Sequence, residues 1–161
     1  DDFGDYRVAV TVPGGWTVAL ARTATGWVFF RYGWFDKLQD DGFATGMADT
    51  LRKMAQTSAP AFYRAFLEQI AIPHSQAFAL AVAWGEALLG ISLLLGAFTN
   101  LASLLGILLM ANLYLASGSW EALLYASLCL VFLRLSAGSR WGLDPLLAKL
   151  LPERMVYFPT R

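Results

Sequence analysis

The chain is poor in most of what a self-contained redox or metal enzyme needs. One cysteine, Cys129, stands among 161 residues, so neither a disulfide framework nor a Cys-x-x-Cys pair can form within it. A single histidine, His74, excludes bis-histidine haem ligation and multi-histidine metal sites from this chain alone, and no metal is expected. The formal net charge is zero, so the electrostatic footprint of a nucleic-acid binder is missing and no nucleic-acid partner is expected. No internal repeat, low-complexity segment or signal-peptide pattern is visible.

Charge itself is scarce. Asp, Glu, Lys and Arg make up 15% of the residues, against about 25% in an ordinary soluble domain. Apolar residues make up 57%. Between Gln69 and Leu133, only Glu86 and Glu121 carry a side chain of the charged types. A soluble protein of this size cannot bury so long an uncharged stretch and still cover its surface. The stretch therefore reads as membrane-spanning.

Four spans are expected. Residues 16–35 are about 20 in number, enough at ~1.5 Å per residue to cross a ~30 Å core, although they include Arg22 and Arg31. Residues 77–97, 101–116 and 120–137 are the second, third and fourth spans, joined by the short links "FTN" and "SGS". Short links force antiparallel neighbours, so the expectation is an all-α integral membrane four-helix up-down bundle forming one domain. The connection 36–76 holds "FATGMADTLRKMAQ" and "APAFYRAFLEQIAI", two short amphipathic interfacial helices separated by Pro60. Residues 1–15 read as an extramembrane arm and 138–161 as a polar tail. An even number of spans places both termini on one side, and the Lys/Arg tally favours the cytoplasm.

Glu86 is the one charged residue in 78–120. A charge at such a depth costs roughly 2.5–3.5 kcal/mol and marks a functional or paired site. On 100° wheels, Ala19, Thr23, Gly26, Phe30 and Gly33 share a face of the first span, with Arg22 at its edge. In the second span Ala79, Ala83, Ala87, Gly90, Leu94 and Ala97 share a face, with Glu86 at its edge. Small residues mark faces where membrane helices approach closely, so an intramembrane Arg22–Glu86 pair is expected. Its depth mismatch is about 7 Å, and Arg31 is the alternative partner. The pair is either a packing staple or a proton-accepting or ligand-orienting carboxylate. Cys129 reads as a small buried hydrophobe. The tryptophans suit interfacial belts, and Trp27, Trp34 and Trp84, with His74, are also candidates to line a pocket for a flat ring.

Three stretches together resemble the DoxX/DoxD family of small four-helix membrane proteins. They are "RTATGWVFFRYGWFDKL" (22–38), "GEALLGISLLLGAFTNLASLLGILLMANLYLA" (85–116) and "GSRWGLDPLL" (138–147). By that resemblance Arg22, Gly26, Gly33, Lys37, Glu86, Gly90, Gly96, Arg140 and Asp144 occupy family-motif positions. Asn100 departs from it, where many relatives carry a basic residue. The resemblance implies the prokaryotic cytoplasmic membrane and respiratory-type electron transfer, as in the DoxD subunit of thiosulfate:quinone oxidoreductase. The chain would then be an anchor and quinone-pocket wall, with quinone as the non-covalent cofactor. Membrane lipid and other subunits of a membrane complex are the expected partners. The amphipathic connection and the lack of a complete redox constellation motivate a second reading. In it the chain is a non-catalytic accessory subunit that stabilises a larger respiratory or photosynthetic membrane complex.

Overall fold

A computed structural model describes residues 15–139, 141–152 and 156. Every element among them is helical. Helix α1 (Gly15–Phe30) runs without a break into a π-helical segment, Arg31–Leu38, closed by Gln39 N donating to Trp34 O at 3.1 Å. Helix α2 (Asp41–Thr57) begins where the Asp40 carboxylate accepts from Gly42 N at 2.9 Å, with Asp41 in the first turn facing the positive end of the dipole. Helix α3 (Ala61–Phe66) starts after Pro60 and continues as a second π-helical turn, Leu67–Ala71. Then come α4 (Ser75–Leu95), α5 (Thr99–Ser117), α6 (Trp120–Arg134), a 3₁₀ turn (Ala137–Ser139) and α7 (Asp144–Leu150).

The boundaries differ from expectation mainly at the outer helices. The first helical stretch ends at Leu38 rather than 35, because a π-helical segment, Arg31–Leu38, continues it. Helix α6 stops at Arg134 instead of reaching 137, because Ser136 takes a positive φ of 45° and turns the chain. Helix α4 ends at Gly96, whose φ of 62° suits a residue without Cβ. Two helices, α4 and α5, are long and apolar enough to cross a membrane.

Helix α1 lies antiparallel to α4, α5 lies along α6, α4 also meets α5, and α1 touches α6. Phe29, Leu89, Leu93, Met110, Cys129 and Phe132 form one core where these four meet. A second core seats the connection on the bundle end. Met47, Leu51 and Ala55 of α2 pack with Tyr63 and Leu67 against Ala79 of α4 and Ala116 of α5. The opposite side of α2 presents Asp49 and Arg52, paired with each other at 2.7 Å and exposed. This is the amphipathic division expected of 43–56.

Candidate functional site

Glycines fix the register of α1 on α4. A Cβ on Gly26 would fall 2.7 Å from Leu94 N, one on Gly33 would fall 2.7 Å from Ala83 O, and one on Gly90 would fall 2.6 Å from Phe30 Cα. The two backbones therefore touch along two turns, with Gly26 opposite the 90–94 turn and Gly33 opposite 83–87. The small-residue faces read from the wheels are the faces in contact.

That register overturns the expected Arg22–Glu86 pair. With Gly33 beside Ala83 and Ala87, Arg22 lies level with Gly96, ten positions beyond Glu86. At ~1.5 Å per residue the two charges are about 15 Å apart along the helix, too far for an arginine to bridge. Glu86 instead meets Lys37, whose Nζ donates to both carboxylate oxygens at 2.5 Å. Lys37 lies in the π-helical segment, where a 3.6-residue wheel no longer describes which residues face α4. The alternative partner, Arg31, is exposed, sits 3.9 Å from Asp36 and stacks over Tyr32.

The pair is well sheltered. The Glu86 side chain is 5% exposed and that of Lys37 21%. The Lys37 ammonium also lies 5.6 Å from the Phe43 ring centroid, tying α2 to the site. Beside the pair is a cavity of about 250 Å³ walled by Phe29, Tyr32, Met110, Leu113, Ala122 and Tyr125, with Ser119 and Glu121 contributed by the start of α6. The two acids of the long apolar stretch, Glu86 and Glu121, thus line one cavity. An ammonium donor, a carboxylate acceptor, two phenol hydroxyls and aromatic walls can hold a small planar ring bearing carbonyl or hydroxyl groups. Tyr32, Tyr125 and Ser119 were not among the residues singled out from sequence, and Glu121 had been noted only for its charge. Their common signal, proximity to Glu86 across helices, exists only in three dimensions.

Arg22 anchors the other end. Its Nη1 donates to Ala137 O at 3.3 Å and its Nη2 to Trp141 O at 3.1 Å. Leu143 N and Asp144 N donate to the carbonyls of Leu95 and Gly96, and Asp144 Oδ2 accepts from Thr99 N at 3.2 Å at the start of α5. Arg22, Gly96 and Asp144 thus form one node that docks the segment after α6 onto the α4–α5 turn. Burial holds the Asp144 carboxyl above its ordinary value, against the pull of the Thr99 and Phe98 hydrogen bonds and of Arg22. Asn100 is buried beside this node, where no exposed headgroup contact is available to it.

The aromatic candidates lie elsewhere. Trp27, Trp34 and Trp84 form an outward ladder with Phe30 and Phe35. Phe30 stacks on Trp34 at 6.1 Å, and Trp34 meets the edge of Trp84 at 6.1 Å. None of them lines the cavity that holds Glu86. Their placement follows from α1 giving its glycine face to α4, which leaves its aromatic edge outside. His74 is exposed at the start of α4 and makes no side-chain cap. Arg140 lies outside the described residues. Among the described residues, no group of three His, Cys, Asp or Glu side chains is placed to hold a metal ion.

The fold and site define an α-helical protein with helices of membrane-crossing length, organised on a buried Lys–Glu pair. A family model for DoxX matches residues 17–117, well over half of the chain. The chain belongs to the DoxX family, whose members are membrane-associated. The matched region spans α1 to α5 and includes both Lys37 and Glu86. Comparison with curated proteins and with solved structures found no match.

Proposed function

We propose that this chain is a membrane subunit of a quinone-linked oxidoreductase, and that the Lys37–Glu86 cavity receives the quinone head group. In this reading α1 with its π-helical extension, α4, α5 and α6 cross a prokaryotic cytoplasmic membrane as an up-down bundle with both termini on one side. The observation that carries it is a part-buried donor–acceptor pair opening on a small cavity walled by Phe29, Tyr32 and Tyr125. Lys37 would donate to a quinone carbonyl, and Glu86 would orient Lys37 and accept from a hydroquinone hydroxyl. A space of about 250 Å³ fits one substituted ring, with the isoprenoid tail left in the bilayer. The chain supplies no electron carrier of its own, so the redox centre belongs to a partner subunit, with this chain as anchor and pocket wall.

The test is binding of decylubiquinone to the chain purified in mild detergent. Ser119→Trp fills the cavity without removing a cap, since the Ser119 side chain makes none. The wild-type chain should bind one quinone and the variant should bind none. Equal binding by both, or none by the wild type, would sink the reading.

A separate feature supports the accessory-subunit reading. An apolar groove of about 630 Å³ runs between α4 and α5, lined by Val82, Gly85, Leu88, Leu101, Leu105 and Leu108. A Cβ on Gly85 would meet nothing within 4 Å, so the groove has room for a helix from another membrane protein. A chain that is stable and monomeric alone in detergent would count against that reading.

A further inference from the structure

We propose that Arg22 forms the floor of an oxyanion site that takes a phosphate group at the end of the bundle opposite Glu86. Arg22 is 1% exposed, and no carboxylate among the described residues lies within ion-pairing distance of it. Its two terminal nitrogens are committed to the Ala137 and Trp141 carbonyls, while Nε is buried without a partner. Asp144, the nearby acid, turns its Oδ2 to Thr99 N instead. Asp144 attracts the guanidinium only from beyond ion-pairing distance, so Nε keeps a desolvation penalty that an anionic acceptor would offset.

A cavity of about 350 Å³ lies beside Arg22, lined among the described residues by Trp16, Ala19, Leu20, Arg22, Thr23 and Trp141. Among the described residues, its polar side chains are those of Arg22, Trp16, Trp141 and Thr23. All four supply N–H or O–H donors, and no carboxylate is among them. The Lys37–Glu86 cavity has the opposite balance, with two carboxylates to one amine. The fork is also pre-organised, since a Cβ on Gly142 would fall 2.6 Å from Arg22 Nη1 and no side chain there can displace it. Trp16 and Trp141, 62% and 85% exposed, flank the cavity in the manner of indoles at a bilayer interface, the depth at which lipid phosphates lie. The phosphate can come from a phospholipid or from solution. The site is independent of what the Lys37–Glu86 cavity binds.

The experiment is native mass spectrometry of the delipidated chain titrated with dioleoylphosphatidylglycerol, dioleoylglycerol and inorganic phosphate. The cavity-filling variant is Thr23→Trp, at an exposed wall position that leaves Arg22 in place. The wild type should take one phosphatidylglycerol per chain, and the variant should lose it at least tenfold while keeping its helical content. Dioleoylglycerol, with the same tails and no phosphate, should not bind at this site. Competition by millimolar inorganic phosphate would assign the site to a free anion, and failure to compete would assign it to the headgroup. Either result supports an oxyanion site. Equal retention by wild type and Thr23→Trp, or equal binding of dioleoylglycerol, would overturn it.

Discussion

Removing Lys37 should destabilise the protein more than removing the charge of Glu86. In Lys37→Met the Glu86 carboxylate, 5% exposed, loses its ion pair and both hydrogen bonds, leaving a sheltered charge without its partner. Breaking a buried pair in this way costs about 3–5 kcal/mol. In Glu86→Gln the amide oxygen still accepts from Lys37, and the lysine, 21% exposed, can carry its ammonium towards solvent on its flexible stem. The cost should be about 1–2 kcal/mol. The double variant Lys37→Met/Glu86→Leu removes both charges and fills the space with carbon, and should lie within about 1 kcal/mol of wild type. The assay is equilibrium unfolding in mixed micelles with increasing dodecyl sulfate, with the single variant Glu86→Leu added so that Lys37→Met, Glu86→Leu and their combination close a double-mutant cycle. Arg22 supplies the control, because a Glu86 served by Arg22 would make Lys37→Met silent. A Lys37→Met cost below about 1 kcal/mol, or strict additivity in the double variant, would refute the pairing and the helix register behind it.

Other outcomes follow from the same packing. Gly90→Ala should cost about 1–3 kcal/mol, because its Cβ would meet the Phe30 backbone at 2.6 Å, whereas Gly46→Ala, with nothing within 4 Å, should gain about 0.5–1 kcal/mol of helix propensity in the same unfolding assay. Asp144→Asn should cost less than about 1 kcal/mol at neutral pH, because the amide oxygen can still accept from Thr99 N and the burial penalty on the ionised carboxylate is relieved. Burial raises the folded-state Asp144 carboxyl above 3.8, so its contribution to stability is present below that value and is lost as pH rises through the raised one. The asparagine variant should flatten that part of a stability–pH profile. Cys129, fully buried among α5 and α6, should resist maleimide until the bundle unfolds, and labelling of the native protein would contradict the α5–α6 packing.

The helices and their contact faces were legible because both are local properties. A nearly uncharged run with two three-residue links dictates antiparallel apolar helices. Glycine and alanine at helical spacing mark where two backbones meet. Partner choice was not legible, because it depends on a displacement along the helix axis that no wheel contains. Drawing the spans from residues 16 and 77 set Arg22 about 7 Å from Glu86, but the observed register doubles that distance and brings Lys37 in. A first span of 16–35 leaves Lys37 in the polar connection. The π-helical turns keep the helix going to Leu38 and deliver it to the cavity. The placement of the tryptophans away from the Glu86 cavity was not legible for a related reason. Residue type suits an indole equally to a lipid interface and to a ring pocket, and only the orientation of the glycine face decides between them.

The glycine contacts and the two charged ends constrain one another. Hydrophobic burial is non-directional and does not by itself fix the axial position of one helix on another, so close van der Waals contact and polar pairing must select the register. Glycine contacts alone select it weakly, since a slide by one turn, about 5.4 Å, would set other small residues of α4 such as Ala79 and Ala97 against α1. Such a slide would separate Lys37 from Glu86 and lift the Arg22 fork off the Ala137 and Trp141 carbonyls at the same time. Each buried charge would then stand alone, and the two penalties would add because the sites are too far apart to compensate each other. A lone glutamate in an apolar span, costly when considered by itself, therefore has a structural use whatever the cavity binds. Together with Arg22 it permits a single alignment of α1 on α4, and that alignment is the one that opens a cavity at each end.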